Sequence, residues 1–202
     1  MVPSSSVACM VNLTRIYTRT GDEGRTRLVG NESIPKTDAR LAVIAAVDEA
    51  NCAIGVALAL QPNKEVAACL LTIQNELFDI GADLATPTSD QPDTPPVRIG
   101  QQSVVRLEAW CDQFGSSLPA LPSFVLPGGT PLPAQLHLAR SVVRRAELAA
   151  WAAAGTTALN PQVLVYLNRL SDLLFVLARY CAHQADAPET LWAPASAEHR
   201  PR

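Results

Sequence analysis

An all-α protein is what these 202 residues predict: a five-helix antiparallel bundle preceded by an irregular, glycine-containing segment. Three observations point there. Apolar residues make up 48% of the chain but aromatics only 5%, with Ala and Leu supplying most of the apolar content; these are strong helix formers, whereas strands favour β-branched and aromatic side chains. Apolar residues recur at three- and four-residue steps in five separate stretches. Pro, Gly, Asn or Asp punctuates those stretches, and four long helices with a shorter one make an antiparallel bundle.

In chain order, residues 1–13 read as a disordered lead without the basic start or apolar run of a signal peptide, and Met1 and Met10 are both available as starts. Leu13 to Gly30 is polar, carries Gly21, Gly24 and Gly30, and has no helical period. Thr37 or Asp38 caps a first helix from Asp38 to about Leu60, with Leu41, Ile44, Ala45, Cys52 and Gly55 on its apolar stripe. Pro62 and Asn63 separate it from a second helix, Lys64 to about Leu84, striped by Val66, Leu70, Ile73, Leu77, Ile80 and Leu84. Ala85 to Gly100, with Pro87, Pro92, Pro95 and Pro96, is a loop that cannot be helical. A third helix spans about Gln101 to Phe114, and Leu118 to Pro133 is a second irregular segment. The fourth helix runs from about Ala134 to Ala153, ended by Gly155; the fifth runs from about Gln162 to His183, with Asn160 as cap and Pro161 in its first turn. Residues 186–202 form a flexible, Pro-rich tail, which leaves 14–185 as a single domain.

A net charge of −3 supplies no basic field for nucleic acid or an anionic membrane, so any anion site must be local. No apolar run approaches a membrane span. The five cysteines, including Cys9, are scattered and contain no CxxC pair, which argues against a zinc or thioredoxin-like site. Cys52, Cys69, Cys111 and Cys181 fall in helical apolar patterns as small core residues, and a reducing, cytoplasmic compartment follows.

Several residues exceed what a plain bundle needs. Asp48 shares the stripe of Leu41, Ile44 and Cys52; either a partner arginine faces it, or it ends the stripe and reaches water. Arg140, Arg144, Glu147 and Trp151 fall on one narrow face of the fourth helix, at the shoulder of the stripe Leu136, Ala139, Val143, Ala146 and Ala150. Arg145 points elsewhere, toward something such as a neighbouring subunit. On the fifth helix Asn168, Asp172, Phe175 and Arg179 line one face, suited either to a ligand's polar edge and flat surface or to a network between helices. Tyr17 to Thr26 combines glycines, threonines and arginines as an anion cradle would, with Lys36 near enough to close over phosphates, although a Gly-Asp-x-Gly turn is also common as a plain turn. Phe124 sits on the apolar loop Ser123 to Gly129, packed on the core or projecting into a cavity. His137 belongs to the surface of the fourth helix, His183 to a helix end and His199 to the tail; no triad, carboxylate dyad or metal-ligand spacing exists.

Together these pieces resemble the PduO-type ATP:cob(I)alamin adenosyltransferases. The resemblance rests on Ile16 to Gly24, Val47 to Asn51, Phe124 to Gly129, Arg144 to Glu147 and Leu167 to Asp172, which occur in the family's order over roughly Thr14 to Tyr180. It implies a five-helix bundle, a homotrimer with sites between subunits, and transfer of the 5′-deoxyadenosyl group of ATP to the cobalt of cob(I)alamin, giving adenosylcobalamin and triphosphate. Thr18, Arg19, Thr20 and Gly21 with Thr26 and Arg27 would wrap the ATP phosphates; Lys36, Arg144, Arg145, Glu147 and Asn168 would complete the nucleotide site. Asp48 and Arg140 would pair between subunits, and Phe124 and Phe175 would line the corrin side, with Phe124 displacing the lower axial base. The resemblance implies Mg²⁺ carried by the nucleotide, with no metal ligands from the protein. It also implies a flavin-type reductase and an adenosylcobalamin-dependent mutase as partners. The chain departs from the family at Leu148, where Arg is common, and over the less polar Ala149 to Ala154. A corrinoid carrier would need Phe124 and Phe175 but not the ATP residues, and a plain oligomerisation module would need neither glycine segment.

Overall fold

The computed structural model describes residues 17–29, 33–86 and 96–194. The lead with Cys9, residues 14–16, most of the proline loop, His199 and the tail beyond residue 194 lie outside the described residues.

A small antiparallel hairpin comes first, β1 (Arg25–Arg27) against β2 (Ser33–Pro35). Three residues per strand are too few for an alternating pattern to register in the sequence. Five helices follow: α1 (Ala39–Ala59), α2 (Lys64–Ala85), α3 (Gln101–Gly115), α4 (Pro131–Ala154) and α5 (Pro161–Gln184). Asp38, rather than Thr37, caps α1 by accepting from the Arg40 N–H at 2.8 Å. Asn63 and Asn160 cap α2 and α5 in the same way. α4 starts three residues before the expected Ala134, because Pro131 and Pro133 occupy its first turn, where a missing N–H costs nothing.

The helices pack in the order α2, α1, α4, α5, α3. The stripe expected for α2 is buried throughout. That of α1 is rotated: Val43, Ala46, Val47, Ala50, Ile54 and Ala57 form the core, while Leu41 and Ile44 are half-buried and Ala45, Asp48 and Cys52 are exposed. In a helix with so many alanines, the small residues occupy the tight interior and some larger ones are left outside. Cys52 is therefore not a core residue. One 18-residue window of α1 reaches a mean hydropathy of 1.8, so α1 is long and apolar enough to span a membrane, contrary to expectation. It nevertheless packs between α2 and α4.

Two buried carboxylates tie distant parts of the chain together. Glu76 of α2 accepts from the Tyr166 hydroxyl at 2.8 Å and pairs with Arg106. Burial, and then the Glu76 charge, push the Tyr166 hydroxyl well above the ordinary phenol range. Asp83 receives Arg98 at 2.6 Å, the Ile99 N–H at 3.0 Å and the Asn160 amide at 2.7 Å, joining the end of α2 to the starts of α3 and α5.

Candidate functional site

The N-terminal segment makes a turn around Arg19 and Gly24, both with left-handed backbone (φ 62° and 76°). The Thr18 and Thr20 hydroxyls lie 2.9 Å apart, and the Arg19 guanidinium sits over the Tyr17 ring. The hairpin returns Lys36 to this turn, its N–H donating to Gly24 O at 2.8 Å. A Cβ on Gly21 would lie 3.1 Å from Lys36 Nζ, so the bare glycine admits the ammonium against the turn. Thr20, Gly21, Thr26 and Arg27 line an open cavity of about 370 Å³ here.

Asp48 lies on the α2 side of α1, in a neighbouring cavity of about 480 Å³ with Thr26, Lys36, Ile44 and Phe78. Phe78 is 71% exposed, an apolar surface left open within one chain. Asn51 Oδ1 is buried beside it without a hydrogen bond. The carboxylate of Asp48 is exposed and has no ion-pair partner in its own chain among the described residues. Its neighbour Glu49 is the one that crosses to α4, where it pairs with Arg145. Arg145 thus points away from Arg144, to Glu49 of its own chain.

The second group lies along α4 and α5. Arg140 and Arg144 sit one turn apart, and among the described residues neither has a carboxylate partner. Arg140 Nε is buried without a hydrogen bond. Burial, and then repulsion from Arg144, lower the pKa of Arg140. Two cations held together without an anion are an incomplete charge set. Beyond them the Asn168 amide donates to Glu147 at 3.0 Å. Asp172, expected on the same face, instead pairs with Arg169, which also binds Glu108 of α3. Trp151 and Leu148 are exposed on the outer side of α4.

Farther along α5 Phe124 projects from its loop, and Phe124, Phe175 and Trp192 wall an apolar cavity of about 540 Å³. Trp192 is a residue that sequence reasoning missed, assigned to the tail. His137 is buried at 4% exposure, not on the surface, and its ring meets Phe175 at 6.0 Å. Burial, then the Arg140 charge, lower its pKa, and Nδ1 has no hydrogen-bond partner. Burial pushes the Cys69 thiol up to about 12, and those of Cys111 and Cys181 to about 11.

The expected site is therefore brought together in two halves. Thr18 to Arg27, Lys36 and Asp48 lie over α1 and α2; Arg140, Arg144, Glu147, Asn168, Phe124 and Phe175 lie along α4 and α5. The cavities of the first half contain no residue of α4 or α5.

The model of the cobalamin adenosyltransferase family matches residues 16–181. This chain belongs to that family. Among cobalamin adenosyltransferases, the corrinoid adenosyltransferase of Mycobacterium tuberculosis is 56% identical over 187 residues, covering 91% of this chain and 95% of that protein. The corrinoid adenosyltransferase of Homo sapiens is 36% identical over 184 residues, covering 89% and 74%. A variant of the PduO-type ATP:corrinoid adenosyltransferase from Lactobacillus reuteri, complexed with cobalamin and ATP, superposes with a TM-score of 0.84 at 37% identity, over 89% of this chain and 100% of that one. The family match takes in both halves of the site, from the glycine turn to Arg179.

Proposed function

We propose that this protein transfers the 5′-deoxyadenosyl group of ATP to the cobalt of cob(I)alamin, releasing triphosphate. The observation that carries the reading is the graded row of residues along α4 and α5. It runs from the Phe124, Phe175 and Trp192 cavity past Arg140 and Arg144 to Asn168 and Glu147. Phe175 and Asn168 are seven residues apart on α5, about 10 Å of helical rise, so a flat apolar substrate and a polyanion can meet there end to end.

The chemistry needs no protein nucleophile. The Co(I) electron pair forms the bond to C5′ of ATP, the C5′–O bond breaks, cobalt becomes formally Co(III), and triphosphate leaves with the electrons of that bond. The protein's part is to position both substrates and stabilise the charge that develops on the leaving group. Arg144, Lys36 and the backbone of the Thr18 to Gly21 turn fill that role, with Thr26 and Arg27 beside them. Mg²⁺ enters on the nucleotide phosphates. In a homotrimer the glycine-turn half of one subunit faces the α4–α5 half of the next. Asp48 then meets the unsatisfied Arg140, and the open Phe78 surface is covered. Its setting is the reducing cytoplasm, with a flavin-type reductase supplying the reduced cobalt and an adenosylcobalamin-dependent mutase taking the product.

Purified protein given ATP, Mg²⁺ and chemically reduced cobalamin without oxygen is expected to form adenosylcobalamin, followed by its visible spectrum. A folded protein that gives no conversion sinks the proposal. Phe124→Ala separates the two substrates: ATP affinity stays near that of the unaltered protein, while turnover starting from Co(II) slows by about 10-fold to 10²-fold, as expected when a positioning contact is lost. Equal loss of both would contradict the role given to Phe124.

A further inference from the structure

The chain after α5 folds back on the Phe124 loop. Leu126 N–H donates to Thr190 O at 2.8 Å and Trp192 N–H to Phe124 O at 2.7 Å, and Val125 and Leu191 form an antiparallel bridge. Ser123 Oγ donates to Trp192 O at 2.9 Å, and the Trp192 ring meets Phe124 at 6.2 Å between centroids. Residues 186–194, expected as flexible tail, are thus a strap. Phe124 is 78% exposed, so the core does not hold its ring; the strap does.

So short a pairing is weak by itself, and its anchor lies one turn along α5 from Phe175. Arg179 is 8% exposed. Its Nε donates to Glu189 Oε1 at 2.9 Å and its Nη2 to Glu189 Oε2 at 3.2 Å. The same Nη2 donates to Pro119 O at 2.9 Å. One buried guanidinium therefore grips the base of the Phe124 loop and the strap that covers it. A forked arginine–carboxylate pair fixes direction as well as distance. Removing the acid would leave a buried cation without its counter-charge. Glu189 lies beyond the residues that the family model matches.

We infer that Arg179 and Glu189 are positioning residues for Phe124, clamping the strap so that the Phe124 ring stands at a fixed height over the corrin side of the site. This rests on the reading of Phe124 given above. The ring can act on the lower face of the corrinoid only if its loop resists being pushed back, and the loop's resistance comes from the strap. Through Arg179 that resistance is transmitted to the C-terminal part of α5, the most buried helix of the bundle.

The test compares Glu189→Ala with the unaltered protein, starting either from Co(II)balamin with a chemical reductant or from pre-reduced Co(I)balamin. The ratio of the Co(II)-start rate to the Co(I)-start rate should fall about tenfold, with the KM for ATP within about twofold. Electron paramagnetic resonance of Co(II)balamin with ATP should show less of the four-coordinate species. Glu189→Asp should restore part of the ratio. Glu189→Gln keeps the side chain's volume should the alanine variant not fold, and should lower the ratio by about threefold. The double variant Phe124→Ala with Glu189→Ala should be no slower from Co(II) than Phe124→Ala alone, because both changes act on one element. An unchanged ratio in Glu189→Ala, or losses that add in the double variant, would overturn the inference. An unaltered protein that forms no adenosylcobalamin fails the functional proposal itself, and a Phe124→Ala variant with full Co(II) turnover fails the role of Phe124; in the remaining case only the clamp is at stake.

Discussion

Arg144→Ala is expected to lower kcat/KM for ATP by about 10² to 10³, the usual cost of removing a preorganised donor aimed at developing charge. Arg144 stands exposed on α4, one turn from Arg140, with no carboxylate of its own chain paired to it among the described residues. Charges left this way are available to a ligand anion, and the triphosphate gains negative charge as the C5′–O bond breaks. The loss should appear in kcat as well as KM, because the charge grows on the way to the transition state. Arg144→Lys keeps the charge but not the planar fork, so it should recover only part of the rate. Steady-state rates under anaerobic conditions with saturating cob(I)alamin decide the matter. Activity of Arg144→Ala within about threefold of the unaltered protein would remove Arg144 from the site. Arg145→Ala should behave differently, since its partner is Glu49 on an exposed face, where an ion pair contributes little.

The helices were legible in the sequence because each carries its own breaker or cap: Asp38, Asn63 and Asn160 are the caps observed. The α2 stripe was legible for a second reason, its large aliphatic residues at helical spacing. α1 was misread because Ala46, Ala50 and Ala57 form the interior, and alanine gives a pattern little contrast. The same misreading hid a useful fact. The face with Leu41, Ile44 and Asp48 is half-open in one chain, and a sequence pattern does not distinguish burial in the fold from burial in an assembly. The α4 face of Arg140, Arg144 and Glu147 was found because charges beside an apolar stripe are visible as a period. His137 was placed on the surface because its burial depends on the Phe124 loop and the strap, which no local period reports. The hairpin and Trp192 were missed for the same reason: each is held by a few long-range hydrogen bonds rather than by a repeating pattern.

Asp83→Ala is expected to destabilise the fold by roughly 3–5 kcal/mol, the cost of stripping one partner from a buried ion pair. Asp83 is 3% exposed and satisfies three donors from two stretches of the chain: Arg98 at 2.6 Å, the adjacent Ile99 N–H at 3.0 Å and the Asn160 amide at 2.7 Å. Its removal leaves the Ile99 N–H without this acceptor and takes one of two acceptors from the amide of Asn160, which still donates to Ile99 O and whose own Oδ1 caps α5 through Gln162 N. The damage therefore spreads from the end of α2 to the starts of α3 and α5. Asp83→Asn fills the same volume but turns an amide toward a cluster of donors, so it should recover less than half of the loss. Urea unfolding followed by circular dichroism, at one fixed protein concentration because assembly contributes to stability, measures both. A midpoint for Asp83→Ala indistinguishable from that of the unaltered protein would mean that the three donors find water or other acceptors at no cost, and that the bundle's ends are held by the apolar core alone.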